Sequence, residues 1–208
     1  MIIFKKAETA TEYRELYALR YKVYCLEKKW LNLKDYPDGE EKDEYDKRSI
    51  HFVALNPNGD VVGTLRLILN SNPNSLPIEN HPSINGQLAT KNGTEISRLA
   101  VDEHFRNGDV TLGLYRLIYH YSKGEHLDTF FIVVDPSFLK LLHLLDFNFM
   151  PIGKPAFYFG DLTVPAMWNL KDAEIYIKIN NSRLYNWLQQ DPTVITEERI
   201  LSKLLRRR

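Results

Sequence analysis

The segment covering residues 95–116 has the features of a phosphate-binding turn. A predicted strand ends within it and a predicted helix begins near Asp109, with Arg106 and Gly108 in the turn and Gly113 further on. The first turn of a helix offers unpaired N–H groups and the positive end of the helix dipole, and both bind anions. The spacing differs from the Arg-x-x-Gly-x-Gly/Ala loop that binds pyrophosphate, so an ordinary strand-to-helix connection stays an alternative.

Three charged side chains fall inside predicted strands. Arg66 lies within an otherwise apolar strand, and Glu95 and Arg98 lie in the next one. A buried charge without a partner is costly, so these side chains must either face water or pair with each other. Glu95 and Arg98 are three residues apart, which places them on opposite faces unless a bulge intervenes. Both a paired site and an ordinary solvent-facing alternation are compatible with this pattern.

Carboxylates are concentrated in a polar stretch that includes Asp43 and Asp46. Such a cluster could bind a cation, position an amine, or pair with Arg20 and Arg66. A solvated run of charges is the simpler interpretation.

Other catalytic arrangements find little support in the sequence. The six histidines include no helix-spaced pair suited to zinc, so we predict no metal site. The single cysteine, Cys25, cannot form an intrachain disulfide, and its position inside a predicted helix favours a core role. The Gly-x-Ser-x-Gly elbow and the Walker lysine motif are both missing from the sequence.

Length and charge restrict the class of protein. A chain of 208 residues fits one domain, and 27 basic residues balance 27 acidic ones, so no overall field favours nucleic acid or an anionic membrane. No apolar run approaches the roughly 20 residues that span a bilayer, and the start of the chain does not resemble a signal peptide. We therefore expect a cytoplasmic protein with no transmembrane segment and no nucleic-acid partner.

Apolar periodicity predicts the elements that position these residues. In the first half they are a strand over 2–5, a helix from Thr9 or Thr11 to about 28, a polar loop over 34–48, a hairpin of strands 51–55 and 61–69, and a loop over 70–92 with a short helical turn. In the second half they are a strand over 95–101, a helix from Asp109 or Thr111 to about 122, a strand over 130–134, a helix over 138–145, strands at 147–150, 157–159 and 174–179, and one or two helices over 183–205.

The order of these elements predicts a mixed α/β sheet flanked by helices. Three consecutive strands precede a helix-strand-helix unit, and this order resembles that of the GCN5-related N-acyltransferases. We expect an N-acyltransferase domain over residues 1–170, with residues 171–208 completing it or appended to it.

Several segments taken together carry a closer resemblance. They are residues 19–25, Trp30, Asp43-x-x-Asp46, 63–67 and 95–101. Their joint spacing resembles that of the acyl-homoserine-lactone synthases and, more closely, of the long-chain N-acyl amino acid synthases. Segments 24–27 and 35–39, continuing through 43–46 and 49–52, look most like the acyltransferase group associated with PEP-CTERM/exosortase systems.

This resemblance, which spans about residues 15–155, implies a reaction and a set of site residues. A fatty acyl group on acyl carrier protein or coenzyme A would be transferred to the amine of an amino acid or a related small molecule, without a tightly bound cofactor. The residues that match the family's charged acceptor site are Arg20, Asp43, Asp46, Arg66, and Glu95 with Arg98. Trp30 matches a tryptophan that helps to form the pocket for the amine.

The roles expected in the reaction follow from that match. Glu95 would accept the proton of the amine, directly or through water, with Arg66 and Arg98 beside it. A backbone N–H near Ala100 or Val101 would stabilise the oxyanion. The pantetheine arm would pair with the backbone where the strand ending near Val101 splays from the strand over 130–134. We expect Arg106, Gly108 and Gly113 to contact the donor, since a carrier-protein arm has one phosphate where coenzyme A has a pyrophosphate.

Three other functions stay open at this stage. A homoserine-lactone synthase would use S-adenosylmethionine as the acceptor. A small-acyl transferase would use acetyl-coenzyme A. A non-catalytic domain of the same fold would only bind an acyl carrier or a lipid.

Overall fold

The computed structural model describes residues 1–70, 76–84, 88, 93–195 and 200–205. It contains two compact units. The first is formed by Met1–Leu67, Arg98–Tyr121 and Asp191–Arg208, and the second by Ile68–Ser97 and Ser122–Gln190.

Strands and helices alternate irregularly along the chain. The first elements are β1 (Ile2–Lys6), α1 (Ala10–Tyr21), a π-helix (Lys22–Glu27), β2 (Ser49–Leu55), β3 (Val61–Leu69), β4 (Gly93–Val101) and α2 (Asp109–Gly124). They are followed by β5 (Thr129–Val134), α3 (Pro136–Leu144), β6 (Met150–Pro151), β7 (Ala156–Tyr158), β8 (Asp161–Asn169), α4 (Leu170–Asn180), α5 (Ser182–Leu188), β9 (Val194–Ile195) and α6 (Ile200–Leu205). Short 3-10 turns occur at Leu33–Asp35, Glu44–Arg48, Pro77–Asn80 and Glu103–Phe105.

In the first unit, the strands follow the order β4-β3-β2-β1-β9. Strand β1 pairs antiparallel with β2 on one side, where Phe4 lies opposite Ala54, and with β9 on the other. Gly113 of α2 lies directly over this layer, because a Cβ atom there would collide with the Phe4 ring. The missing side chain lets α2 pack closely on β1.

Local sequence signals explain where the first helix begins. The Thr9 hydroxyl accepts the Glu12 backbone N–H at 3.2 Å, and the Glu12 carboxylate accepts the Thr9 N–H at 3.1 Å. This reciprocal capping box selects Thr9 rather than Thr11 as the cap. The predicted helix to about residue 28 is confirmed, but its last turn widens into the π-helix that contains Cys25.

The predicted hairpin is confirmed as β2 and β3. Between them the Asn56 side chain accepts the backbone N–H groups of Asn58 and Asp60, at 2.9 and 3.0 Å. Gly59 has a φ of +91°, a conformation that favours glycine.

In the second unit, the strands follow the order β6-β8-β5-β4, and β7 also pairs with β8. Strand β4 pairs with β5 in parallel over three residues, Gly93–Glu95 against Thr129–Phe131. Strand β5 pairs antiparallel with β8 over its whole length. The mixed sheet with flanking helices agrees with the predicted fold class, and none of the described helices is long and apolar enough to cross a membrane.

Two predictions for the second unit were wrong. Residues 174–179 belong to helix α4, not to a strand, because the residues that α4 buries, Leu170, Ala173 and Ile177, recur at helical spacing. Their alternating apolar pattern instead leaves Ile175 and Ile179 exposed, at 60% and 75%. Strand β8 was missed. The predicted strand at 147–150 shares only Met150 with the observed strand β6, Met150–Pro151.

The C-terminal residues contribute to the first unit. Strand β9 extends the sheet at β1, and the Arg116 guanidinium donates to the Val194 carbonyl at 2.9 Å. The predicted boundary at residue 170 stays a prediction.

Candidate active site

Three arginines and three carboxylates of the first unit alternate in a closed ring, called the charged ring below. Each guanidinium contacts two carboxylates, and each carboxylate contacts two guanidiniums. In order around the ring, the residues are Arg20, Glu41, Arg98, Asp43, Arg66 and Asp46.

Glu41 connects two of the arginines. Its Oε2 accepts the Arg20 Nε–H, and Arg98 Nε donates to both carboxylate oxygens, at 3.0 and 3.2 Å. The Glu41 backbone N–H in turn donates to the Tyr17 carbonyl at 3.1 Å, which ties the loop to α1.

The two aspartates complete the ring. Arg66 Nη1 lies 2.6 Å from Asp43 Oδ1 and 2.8 Å from Asp46 Oδ1. Arg20 binds both oxygens of Asp46, at 2.9 and 3.3 Å, and Arg98 Nη2 donates to Asp43 at 2.8 Å. The bidentate contact on Asp46 is the strongest kind of carboxylate recognition.

The spacing of the two aspartates has a local structural cause. Asp43 caps the 3-10 turn Glu44–Arg48 by accepting the Tyr45 N–H at 2.9 Å, and Asp46 accepts the Asp43 N–H at 2.8 Å. This capping box turns both carboxylates to the same side. The polar stretch predicted to be a loop therefore contains a turn that builds half of the charged ring.

Burial and pairing fix the protonation of these aspartates. Burial alone would raise the pKa of Asp46, but the guanidiniums of Arg20 and Arg66 outweigh it and hold that pKa well below its usual range. The pKa of Asp43 is lowered in the same way, chiefly by Arg66 and then by Arg98. Both aspartates stay ionised near neutral pH, so neither is suited to accept a proton.

His51 lies beside the charged ring and was not predicted to belong to a site. Its Nε2 is 3.5 Å from an Asp46 oxygen, and the rings of Tyr13 and Tyr17 meet it edge-on. Burial lowers the pKa of His51 to about 4, so the imidazole is neutral near pH 7.

An aromatic pair lies next to the charged ring. Trp30 stacks on Tyr24 with ring centroids 5.7 Å apart, and the Arg98 guanidinium lies 5.9 Å from the centroid of the Tyr24 ring. Trp30 also packs against the apolar cluster that contains Leu19 and Ala100. Trp30 and the Arg98 guanidinium thus both contact the Tyr24 ring, and the acceptor-pocket role of Trp30 stays a prediction.

Arg98 adopts a left-handed backbone conformation in the middle of β4, with a φ of +54°. This conformation is unfavourable for a residue with a side chain, by about 1–3 kcal/mol. The positive φ of Arg98 interrupts the regular alternation of side chains along β4. The rule that residues three apart lie on opposite faces of a strand therefore does not apply between Glu95 and Arg98. In this conformation the Arg98 side chain makes its two ion pairs, with Glu41 and with Asp43.

Glu95 belongs to the second unit, where it is 3% exposed. Its carboxylate accepts the Ile78 backbone N–H of the turn Pro77–Asn80 at 2.8 Å. The charged ring thus contains five of the predicted site residues. The role of Glu95 as a base stays a prediction.

The residues predicted to bind the donor follow β4. Arg106 Nε donates to the Val101 carbonyl at 2.9 Å, and its Nη2 pairs with Glu27. Gly108 has a φ of +93° and is covered by the Leu201 side chain of α6, which an added Cβ would meet. Gly113, as described above, contacts β1. Donor binding by Arg106, Gly108 and Gly113 stays a prediction.

Sequence reasoning missed Glu41. A usable signal was present, since three candidate arginines faced only two aspartates in the polar stretch, and Glu40 and Glu41 precede Asp43 closely. Within the part of the chain that the structure describes, no three His, Cys, Asp or Glu side chains are arranged to hold a metal ion.

Comparison with known proteins identifies the family. The family described as N-acyl amino acid synthase FeeM matches residues 15–168. An acyl-homoserine-lactone synthase of Vibrio anguillarum is 28% identical over 179 residues, which cover 82% of this chain and 88% of that protein.

Solved structures agree on the fold. BjaI, a coenzyme A-dependent acyl-homoserine lactone synthase solved with MTA, superposes with a TM-score of 0.71 at 18% identity, covering 98% of this chain and 99% of the other. A GNAT-family acetyltransferase of Staphylococcus aureus Mu50 superposes with a TM-score of 0.55 at 18% identity, covering 82% and 99%. The fold is that of the GCN5-related N-acyltransferases, and the chain belongs to the FeeM family of N-acyl amino acid synthases, enzymes that transfer an acyl group to an amine.

Proposed function

We propose that this enzyme transfers a long-chain fatty acyl group from a thioester to the amine of an amino acid or a related small molecule, with the charged ring and Trp30 forming the acceptor site. The observation that carries the proposal is the charged ring itself. It joins Arg20, Asp43, Asp46, Arg66 and Arg98, all of which the family resemblance assigns to the acceptor site.

A buried, mutually paired set of charges suits this task. Its dipoles are fixed before the substrate arrives, so no reorganisation is needed when charge develops in the transition state. Because Asp43 and Asp46 remain ionised and paired, the ring would orient the amine without taking up its proton.

The proton therefore needs another acceptor, and we assign that role to Glu95. The neutral amine attacks the thioester carbonyl, a C–N bond forms, the C–S bond breaks, and the thiolate leaves. The amine proton passes to the Glu95 carboxylate, directly or through water. The hydrogen bond from the Ile78 N–H would hold this carboxylate in place.

For the donor we favour an acyl carrier protein over coenzyme A. The turn at Arg106–Asp109 departs from the pyrophosphate-binding pattern, and Asp109 places a negative charge at the start of α2. One phosphate of a carrier-protein arm fits such a turn better than a pyrophosphate does. The arm would lie against the backbone of β4 beyond Glu95, where its three-residue ladder with β5 ends.

A second candidate is a homoserine-lactone synthase, which the similarity to the protein of Vibrio anguillarum favours. Purified enzyme should be incubated with long-chain acyl carrier protein, long-chain acyl-coenzyme A or acetyl-coenzyme A, and with either mixed amino acids or S-adenosylmethionine. Mass spectrometry then distinguishes an N-acyl amino acid from a lactone.

We expect an N-acyl amino acid from a long-chain donor and none from the Arg66→Ala variant, provided that circular dichroism shows both proteins folded. A lactone would establish the second candidate, and turnover with acetyl-coenzyme A alone would establish a small-acyl transferase. Donor binding without any product would indicate a non-catalytic domain. We further propose that the enzyme acts in the cytoplasm, and the association with PEP-CTERM/exosortase systems belongs to the same proposal.

A further inference from the structure

Tyr24 connects the acceptor side of the site to strand β4. Its ring stacks on Trp30 and lies beside the Arg98 guanidinium, and its carbonyl accepts the Trp30 and Leu31 N–H groups at 2.9 and 3.3 Å. Its hydroxyl donates to the Leu99 carbonyl at 2.8 Å. The proposed function uses Trp30 and Arg98 but gives Tyr24 no role.

The direction of the Leu99 carbonyl follows from strand geometry. The Asp102 N–H donates to Val62 of β3 at 2.9 Å, so it points to the β3 edge of β4. Because backbone groups alternate between the two edges of a strand, the N–H and C=O groups of Leu99 and Val101 point to the opposite edge. On that edge the Val101 N–H lies between two carbonyls, those of Leu99 and Val101.

Both of these carbonyls accept a side-chain donor. Tyr24 donates to the Leu99 carbonyl, and Arg106 Nε donates to the Val101 carbonyl at 2.9 Å. The Leu99 carbonyl shares its planar peptide group with the Ala100 nitrogen, and the Val101 carbonyl shares its group with the Asp102 nitrogen. The peptide group that carries the Val101 N–H therefore lies between two peptide groups that side chains restrain.

We propose that Tyr24 is a positioning residue that, through the Leu99 carbonyl, holds the Val101 N–H in the orientation needed to bind the oxyanion of the reacting thioester. This inference rests on the proposed function. It also names Val101, rather than Ala100, as the residue whose backbone N–H binds the oxyanion. The Tyr24–Trp30 pair then helps to hold strand β4 in addition to lining the proposed acceptor pocket.

The hydroxyl alone carries this role, so Tyr24→Phe is the appropriate change. Phenylalanine keeps the stack with Trp30 and the contact with Arg98, and it removes the hydroxyl that donates to the Leu99 carbonyl. We expect kcat to fall about tenfold, because alignment of an oxyanion donor matters in the transition state and not in substrate binding. The KM values for the acyl donor and for the amine should stay within about twofold of those of the unchanged enzyme.

The matched control is Tyr21→Phe, in the last turn of α1. Tyr21 is half-buried and lies in neither the charged ring nor the aromatic pair. Its variant should keep kcat and both KM values. A thermal unfolding curve for each variant checks that the fold is retained.

Hydrogen exchange supplies a readout that does not depend on activity. The amides of residues 99–101 should exchange about tenfold faster in Tyr24→Phe than in the unchanged protein, while those of α2 exchange at the same rate. Unchanged exchange at residues 99–101 would overturn the proposal.

The kinetic outcomes separate the possible failures. An unchanged kcat in Tyr24→Phe, or a higher KM for the amine at constant kcat, would refute the positioning role while leaving the proposed function intact. If the unchanged enzyme forms no N-acyl product from any donor, the proposed function fails, and hydrogen exchange then decides alone whether Tyr24 restrains β4.

Discussion

At the scale of single residues, Glu41 distinguishes a closed charged ring from an open chain of ion pairs. The family resemblance predicted five of the six ring residues. No local sequence pattern predicted Glu41, because its partners Arg20 and Arg98 are distant in sequence. The need for a third carboxylate follows only when the charges of the cluster are counted together.

We expect Glu41→Gln to lower the free energy of unfolding by about 3–5 kcal/mol. The amide keeps the shape of the side chain but removes one carboxylate partner from Arg20 and one from Arg98, so the largely buried ring is left with one surplus positive charge. Chemical denaturation measures the change. Glu40→Gln is the matched control, since Glu40 is partly exposed and pairs only with Lys42 among its described ion pairs, and it should shift the free energy by less than about 1 kcal/mol.

A second residue-scale prediction concerns the proposed base. Glu95→Gln should lower kcat by a factor of about 10² or more, because an amide cannot accept the amine proton. Steady-state kinetics tests this, with Glu79→Gln, from the turn that contacts Glu95, as the control that retains activity. Equal activity and equal donor binding in Glu95→Gln would mean that another group accepts the proton or that no proton transfer is needed.

At the scale of elements, the sequence correctly predicted helices and strands that have strong local signals, and it failed where the local signals conflict. The start of α1 and the asparagine turn before β3 depend on signals within a few residues, so sequence alone predicts both elements, although it left Thr9 and Thr11 open as the cap of α1. Residues 174–179 alternate like a strand, yet α4 forms because Asn169 caps its first turn and its helical face is buried. Strand β8 was not predicted because it contains Pro165, a residue that is rare inside strands. In the structure Pro165 lies within β8, opposite Val133 of β5.

Helix α2 offers an element-scale test. Gly113→Ala would place a methyl group against the Phe4 ring, so we expect a loss of about 1–3 kcal/mol in the free energy of unfolding from overpacking. Gly124→Ala, at the end of the same helix with open space around it, is the control and should be nearly neutral. If Gly113→Ala instead weakens only donor binding at unchanged stability, the donor role predicted for Gly113 would gain support.

At the scale of the whole molecule, the sequence predicted the fold class and the chemistry from element order and family resemblance. It could not predict which charges pair, because pairing depends on tertiary contacts between the polar stretch and strands β3 and β4. The same contacts set how stability depends on pH.

His51 contributes to that pH dependence between about pH 4 and 6.5. The folded protein keeps this imidazole neutral down to its lowered pKa of about 4, while the unfolded chain protonates it near pH 6.5. The unfolded state therefore binds the extra proton in this window, and stability falls by up to about 3 kcal/mol as the pH drops through it.

The free energy of unfolding, measured from pH 4 to 8, should lose most of this slope in His51→Gln. His104→Gln, which changes an exposed histidine, should keep the slope. An unchanged slope in His51→Gln would show that other groups cause the acid sensitivity.

The closed alternation of the charged ring has a consequence for the variation of this enzyme over evolutionary time. A single substitution that removes one charge leaves an odd number of charges in the ring, and little solvent reaches the ring to compensate the surplus charge. Positions 20, 41, 43, 46, 66 and 98 should therefore change two at a time, one cation with one anion, or not at all. In proteins descended from this sequence, the ring should keep equal numbers of positive and negative charges even where the individual residues differ.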